Sequence, residues 1–197
     1  MVNGDMKVLV TTTRQPTATL EQTGRKIAGY LNGQFAARKK LSLLSLKTVY
    51  PAAIILVVNP NGLVVHTPGG EFFFHLSMAE LRIKNLINGK DDHMVYAMDL
   101  QPGRTVLDCT LGLATDALVA SFVVGDTGRV TGLEISPLIA LVVKQGLRNF
   151  SGEPRLFREA RRRIEVYNTD YFSVFRLAAR GRAGRAGGGR AGHRRGH

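Results

Sequence analysis

Apolar and polar residues along the chain follow two successive rhythms, and each predicts a different kind of layer. Lys7 through Thr12 is a short apolar run of strand type. Thr19 and Gln22 have capping-box spacing ahead of Leu20, Ile27, Ala28 and Leu31, and Asn32-Gly33 supplies a stop, so a helix is predicted to follow. Ala52–Val58, Leu63–Thr67 and Glu71–His75 are β-rich runs separated by Asn59-Pro60-Asn61-Gly62 and Pro68-Gly69-Gly70. Turn residues at turn spacing predict a small antiparallel meander. Ser77 and Glu80 repeat the capping-box spacing and predict a helix that carries Met78, Leu81 and Leu86 and ends at Asn88-Gly89.

From residue 101 strands and helices alternate. Arg104–Asp108 reads as a short buried strand, Ala114–Val124 as a helix stopped by Gly125, and Arg129–Glu134 as a second strand. Ser136 as cap, with Pro137 at the first helical position, opens a helix to about Leu147 with Leu138, Leu141 and Val142 on one face. A basic helix near Phe157–Arg163 and a third strand at Ile164–Tyr167 complete the series. This alternation predicts a parallel sheet with right-handed crossovers. The expected architecture is α/β: an N-terminal α/β domain with the meander at 1–94, a partial Rossmann-like sheet of three strands at 95–176, and a disordered Arg/Gly tail at 177–197.

Composition narrows the partners. The chain has 197 residues, 44% of them apolar, enough to bury a core, and no apolar run approaches the ~20 residues of a bilayer span. With no leader pattern and one cysteine, Cys109, the expectation is a cytoplasmic protein with no disulfide framework, no metal site and no membrane association. Cys109 lies in an apolar segment and reads as core filler. The net charge is +12, and the tail holds six arginines and no acid, so half of the excess lies there. The remainder still favours a polyanion such as RNA. Arg38-Lys39-Lys40 with Arg82, Lys84 and Lys90 are candidates for an RNA-facing surface, competing with ordinary solvated charge. Phe72-Phe73-Phe74 reads as core and strand packing, and His66, His75 and His93 lack ligand-like spacing.

The segment Asp108-Cys-Thr-Leu-Gly-Leu-Ala-Thr-Asp-Ala-Leu118 joins the first strand of the second rhythm to its helix. At the carboxyl edge of a parallel sheet such a turn sets helix-opening N–H groups beside a crevice, and Gly112 allows close backbone approach. Glu134 ends the next strand 22 residues beyond Gly112 and can accept hydrogen bonds from two ribose hydroxyls. A dinucleotide turn would carry further glycines where Ala114 and Ala117 stand, so a nicotinamide nucleotide fits less well than S-adenosylmethionine. Asp108 can hold the ammonium group of that ligand, and Asp170, after the third strand, can reach its adenine amino group.

Val106–Ser121 together with Leu133–Leu147 resembles the class I S-adenosylmethionine-dependent methyltransferases over residues 95–175. Within these it is most similar to the bacterial small-subunit rRNA guanine-N2 methyltransferase group and its uncharacterised relatives in Gram-positive bacteria, with their Asp-Ala-Thr-x-Gly-Leu-Gly-x-Asp-Ala turn and their Glu-x-x-Pro after the second strand. The resemblance implies cofactor contacts for Asp108, Thr110, Gly112, Glu134 and Asp170, with Asp116 either capping the helix or facing the cofactor. It also implies an RNA substrate. Two departures stand out: Ala114 replaces a second glycine, and no Asp-Pro acceptor segment occurs anywhere in the chain. The chain is therefore expected to be truncated relative to the family, with a cofactor site, no assignable catalytic residue and doubtful competence for methyl transfer. The rival expectation is a noncatalytic basic RNA-binding protein.

Overall fold

The computed structural model describes residues 7–52, 54–149 and 155–176; the Arg/Gly tail lies outside them. The chain opens with strand β1 (Val8–Thr12), helix α1 (Ala18–Tyr30), the two-residue strand β2 (Gln34–Phe35) and helix α2 (Leu43–Val49). A run of strands follows, β3 (Ile54–Asn59), β4 (Gly62–Thr67) and β5 (Gly70–Phe73), and then helices α3 (Ser77–Ile87) and α4 (His93–Ala97). The second half is β6 (Thr105–Asp108), α5 (Thr115–Val124), β7 (Arg129–Glu134), α6 (Pro137–Asn149), α7 (Arg155–Arg162) and β8 (Ile164–Asn168).

The meander is present as β3-β4-β5, but it is only part of a larger sheet. The order is β2-β1-β3-β4-β5, with β1 parallel to both β2 and β3 and the remaining pairs antiparallel. Central position explains the unbroken apolar run in β3. Ile54, Leu56 and Val58 join one core cluster while Ile55 and Val57 join another, so both faces of the strand are covered. β2, α2 and α4 were not anticipated; each is short, and propensity is a weak guide at that length.

The second sheet is parallel, in the order β6-β7-β8. Val106, Val130 and Ile164 stand in register on its covered face, and Leu107, Thr131 and Glu165 on the other. The expectation of a buried strand is corrected for β6: among the described residues it lies at the sheet's edge, Val106 is buried and Leu107 is 42% exposed. One cluster of buried residues runs through both halves of the molecule, with α3 packed on α5 and α6 on β4. Gly146 lets α6 pack against Phe74, just after β5, since a Cβ there would lie 2.0 Å from the Phe74 ring. Of the three consecutive phenylalanines, Phe74 is core and Phe73 is exposed.

Both predicted capping boxes are corrected. Helix α1 is capped one step earlier, by Thr17, whose Oγ1 accepts from Leu20 N; Thr19 falls inside the first turn. Helix α3 begins at Ser77 with Leu76 before it and no capping side chain. Its buried face is Ala79 and Ile83, while Met78 and Leu81 are exposed, because the phase of the helix is set by its contact with α5. The Ser136 cap is as predicted: its Oγ accepts from Ile139 N at 3.3 Å.

Candidate functional site

The turn after β6 is shaped from beneath by Leu111. This side chain is buried over Gly132 of β7, where any Cβ would come within 2.5 Å of it. A hydrogen bond from Leu111 N to Leu133 O ties the turn to the same strand. Gly112 has φ +51°, a left-handed conformation that favours glycine, and a Cβ built there meets only Thr110 O, at 3.8 Å. The bend therefore offers open space rather than packed side chains. Ala114 is also left-handed, at φ 64°. That explains the preference for glycine in the resembling motif: the residue that opens α5 must pay conformational strain of about 1 kcal/mol if it bears a Cβ.

Glu134 organises the site. Its side chain is buried beside the bend, Oε2 accepting from Gly112 N at 3.1 Å and Oε1 from Ser136 N at 2.8 Å. One carboxylate thus joins the loop after β6 to the loop after β7. Each oxygen retains a further acceptor site for an incoming donor. Asp108 accepts from Thr110 N at 3.0 Å, which closes the start of the turn around Thr110, an exposed residue. Burial raises the Asp108 pKa above the ordinary carboxylate value; the Thr110 N–H opposes this, and the nearby charges of Asp116 and Glu134 add to it. Three acids therefore converge on one bend.

Asp116 neither caps the helix nor stands alone. Arg82 of α3 donates Nη1 to it at 2.5 Å and grips Asp92 through Nε and Nη2 at 2.7 and 2.9 Å. Asp92 also caps α4, accepting from Met94 N and Val95 N. Its pKa falls to about 2, chiefly through the Arg82 hydrogen bond and against the opposing effect of burial. The proposed place of Arg82 on an open basic surface is corrected: the guanidinium is committed to two carboxylates. Lys84 likewise pairs with Glu80 at 2.7 Å.

Asp170 is positioned as a cap. It accepts from Ser173 N at 2.9 Å and from Ser173 Oγ at 2.6 Å at the start of the helical residues 171–176, and these bonds lower its pKa. Its backbone neighbour Thr169 donates to Glu134 O, so Asp170 lies at the same sheet edge with its carboxylate turned to its own helix. Cys109 is not core: it is half-buried and lines a cavity of about 300 Å3 with Asp108, Asp116, Ala117, Met94 and Met98. Gly112 and Glu134 lie outside that lining.

Two further residues complete the site. Asn168 donates Nδ2 to Glu134 O and Ile135 O at 2.8 and 3.0 Å, pinning the loop that carries the carboxylate. An asparagine closing the third strand was the available signal. Ile135, directly after Glu134, is 72% exposed and presents an apolar surface beside the polar bend.

Among known proteins, no family model matches the chain. YpiP, an uncharacterized protein of Bacillus subtilis, is 33% identical over 164 residues, covering 83% of this chain and 64% of YpiP. The crystal structure of a SAM-dependent methyltransferase from Neisseria gonorrhoeae aligns with a TM-score of 0.56 at 14% identity, over 88% of this chain and 64% of that one. The chain shares that fold. It spans 64% of the length of each of these two proteins. TrmN from Thermus thermophilus aligns over 87% of this chain and 47% of its own at 16% identity, with a TM-score of only 0.35. The expected α/β architecture, with a Rossmann-like parallel sheet of three strands, is present. Among the described residues no helix is long and apolar enough to cross a membrane.

Proposed function

We propose that this chain binds S-adenosylmethionine at the Gly112 bend and serves an RNA-directed methyltransferase, with small-subunit rRNA guanine-N2 as the target class suggested by the motif. A cytoplasmic setting accords with this reading. The observation that carries it is the Glu134 carboxylate, held against Gly112 N–H and Ser136 N–H with acceptor capacity to spare. The acceptors present fit the ligand. A sugar with two adjacent hydroxyls suits an anchored carboxylate, exposed Ile135 suits a flat base, and the cluster of Asp108, Asp116 and Glu134 suits a cationic amino acid.

When bound, the cofactor supplies a methyl group activated for in-line displacement. The residues described hold and orient: Glu134 fixes the sugar, Leu111 and Gly132 set the height of the bend, and Arg82 prevents the acid cluster from repelling itself. The property assigned to these residues is cofactor binding. Isothermal titration with S-adenosylhomocysteine tests the reading. Heat of binding that disappears in Glu134→Gln is expected; a flat titration, with no thermal stabilisation at millimolar ligand, would leave the noncatalytic RNA-binding alternative in its place.

A further inference from the structure

Charge in this molecule is segregated. Residues 7–52 carry eight lysines and arginines against one acid, Glu21, whereas residues 53–176 carry thirteen of each sign. The basic excess outside the tail thus belongs to the β1-α1-β2-α2 lobe. Within it, topology gathers Arg14, Arg38, Lys39 and Lys40 at one edge. β1 and β2 are adjacent and parallel, and the chain just past β2 stays tied to β1 by Ala36 N donating to Val10 O and Thr11 Oγ1 donating to Ala36 O. Arg14 leaves β1 two residues beyond its end, and Arg38–Lys40 begin three residues beyond the end of β2. All four therefore lie outside the carboxyl ends of neighbouring strands.

Helix α1 starts from the same edge and turns its positive end toward it. In the order β2-β1-β3 the three strands run parallel, so their carboxyl ends share this edge. Arg25 of α1 lies 4.5 Å over the Phe35 ring of β2 and extends the basic surface along the sheet margin. The contrast with Arg82 and Lys84 is informative. Those cations are matched to carboxylates, but among the described residues no ion pair involves Arg14, Arg38, Lys39 or Lys40. Arg38 is half-buried, and its pKa is lowered by that burial and by the neighbouring Arg14 charge. Like charges gathered without an acid favour an anionic partner, and planar guanidinium groups suit phosphate.

We infer that the carboxyl edge of β1 and β2, framed by Arg14, Arg38, Lys39 and Lys40, is the surface on which this protein docks the phosphodiester backbone of RNA. The inference deepens the RNA-directed part of the proposed function and is independent of the cofactor. The bend at Gly112 belongs to the other sheet, so cofactor and RNA backbone are assigned to different sheet edges.

Fluorescence anisotropy of the full chain, tail included, with a labelled single-stranded RNA tests the assignment. Arg14→Gln/Lys39→Gln/Lys40→Gln is expected to bind at least about tenfold more weakly, and its salt dependence should be shallower by about 2, since each lost phosphate contact on a single strand removes about 0.7 from the logarithmic slope. Arg38→Gln, assayed separately because its Nε also donates to Leu41 O, should weaken binding in the same direction. Lys84→Gln is expected to change neither affinity nor slope. Unaltered binding in the triple variant would overturn the proposal, as would capture by phosphatidylserine vesicles that depends on these residues while RNA binding does not. Titration with S-adenosylhomocysteine in parallel separates the two readings. Its failure alone removes the cofactor, and the docking surface stands.

Discussion

The two sheets begin alike and end in opposite chemistry. In each, parallel strands feed helices from a common carboxyl edge. At the second sheet that edge is acidic: Asp108, Asp116 and Glu134 surround a bare backbone bend, and their carboxylates are fixed by N–H groups or by one arginine. At the first it is basic, with hydroxyl-rich chain from Thr11 to Thr13 and cations that are left for solvent or a partner. The burial differs too. The first sheet covers both faces of β3, while the second leaves Leu107 of its edge strand exposed. Similar backbone geometry therefore says that a crevice exists; the side chains at the strand ends say what enters it.

The sharpest way to break this contrast is Glu134→Gln. It weakens the charge-assisted bonds to Gly112 and Ser136, each of a class worth about 1.5–3 kcal/mol, so S-adenosylhomocysteine affinity should fall about 100-fold or more in calorimetry. RNA affinity should stay unchanged; a parallel loss would mean that the two edges are not independent.

Arg82→Gln comes next and tests whether the acid edge depends on a cation lent by α3. Stability should fall by about 2 kcal/mol in urea denaturation at neutral pH, because Asp92 and Asp116 lose their partner. The pH dependence has a definite sign. The Asp92 pKa is depressed from 3.8 to about 2, so its contribution is complete above the unfolded value and is lost as pH falls through the folded one. The gap between wild type and variant should accordingly narrow as the pH is lowered from 3.8 toward 2. A gap that is constant with pH would show that the pair contributes nothing electrostatic.

Gly112→Ala is expected to cost about 1 kcal/mol of stability through its left-handed φ alone, since the added methyl meets open space. Cofactor affinity should fall further, by about tenfold, because the methyl occupies the approach to the backbone. Equal effects on both would place the ligand elsewhere. The smallest change is Ala114→Gly. Relief of left-handed strain is about 1 kcal/mol, and the lost burial of one methyl offsets about 0.8 kcal/mol of it, leaving a gain of a few tenths of a kcal/mol, about 0.2, in thermal denaturation.

The turn was legible because it depends on short-range rules. A strand ending in Asp108, a glycine four residues on, and an acid ending the next strand fix where a carboxylate can meet a bend, and Glu134 does meet it. Helix phase was less legible. Thr19 has capping-box spacing with Gln22, but the cap of α1 is Thr17, two residues earlier, and Thr19 lies inside the first turn. Met78 and Leu81 are as apolar as the Ile83 that is buried, and the contact with α5 makes the choice. Asp170 shows the reverse case, a plausible ligand residue whose local Ser173 partner claims it as a cap.

By itself, the sequence determined the alternation of layers, the strand–bend–helix around Gly112 and the uneven distribution of charge, because all three arise from residue type and near-neighbour spacing. Only the tertiary structure decided that Arg82 would neutralise an acid 34 residues away, that Asn168 would pin the Glu134 loop, and that Arg14 and Arg38 would share one edge. Those pairings depend on strand order and helix contacts, which bring distant positions together and leave no local periodicity by which to foresee them.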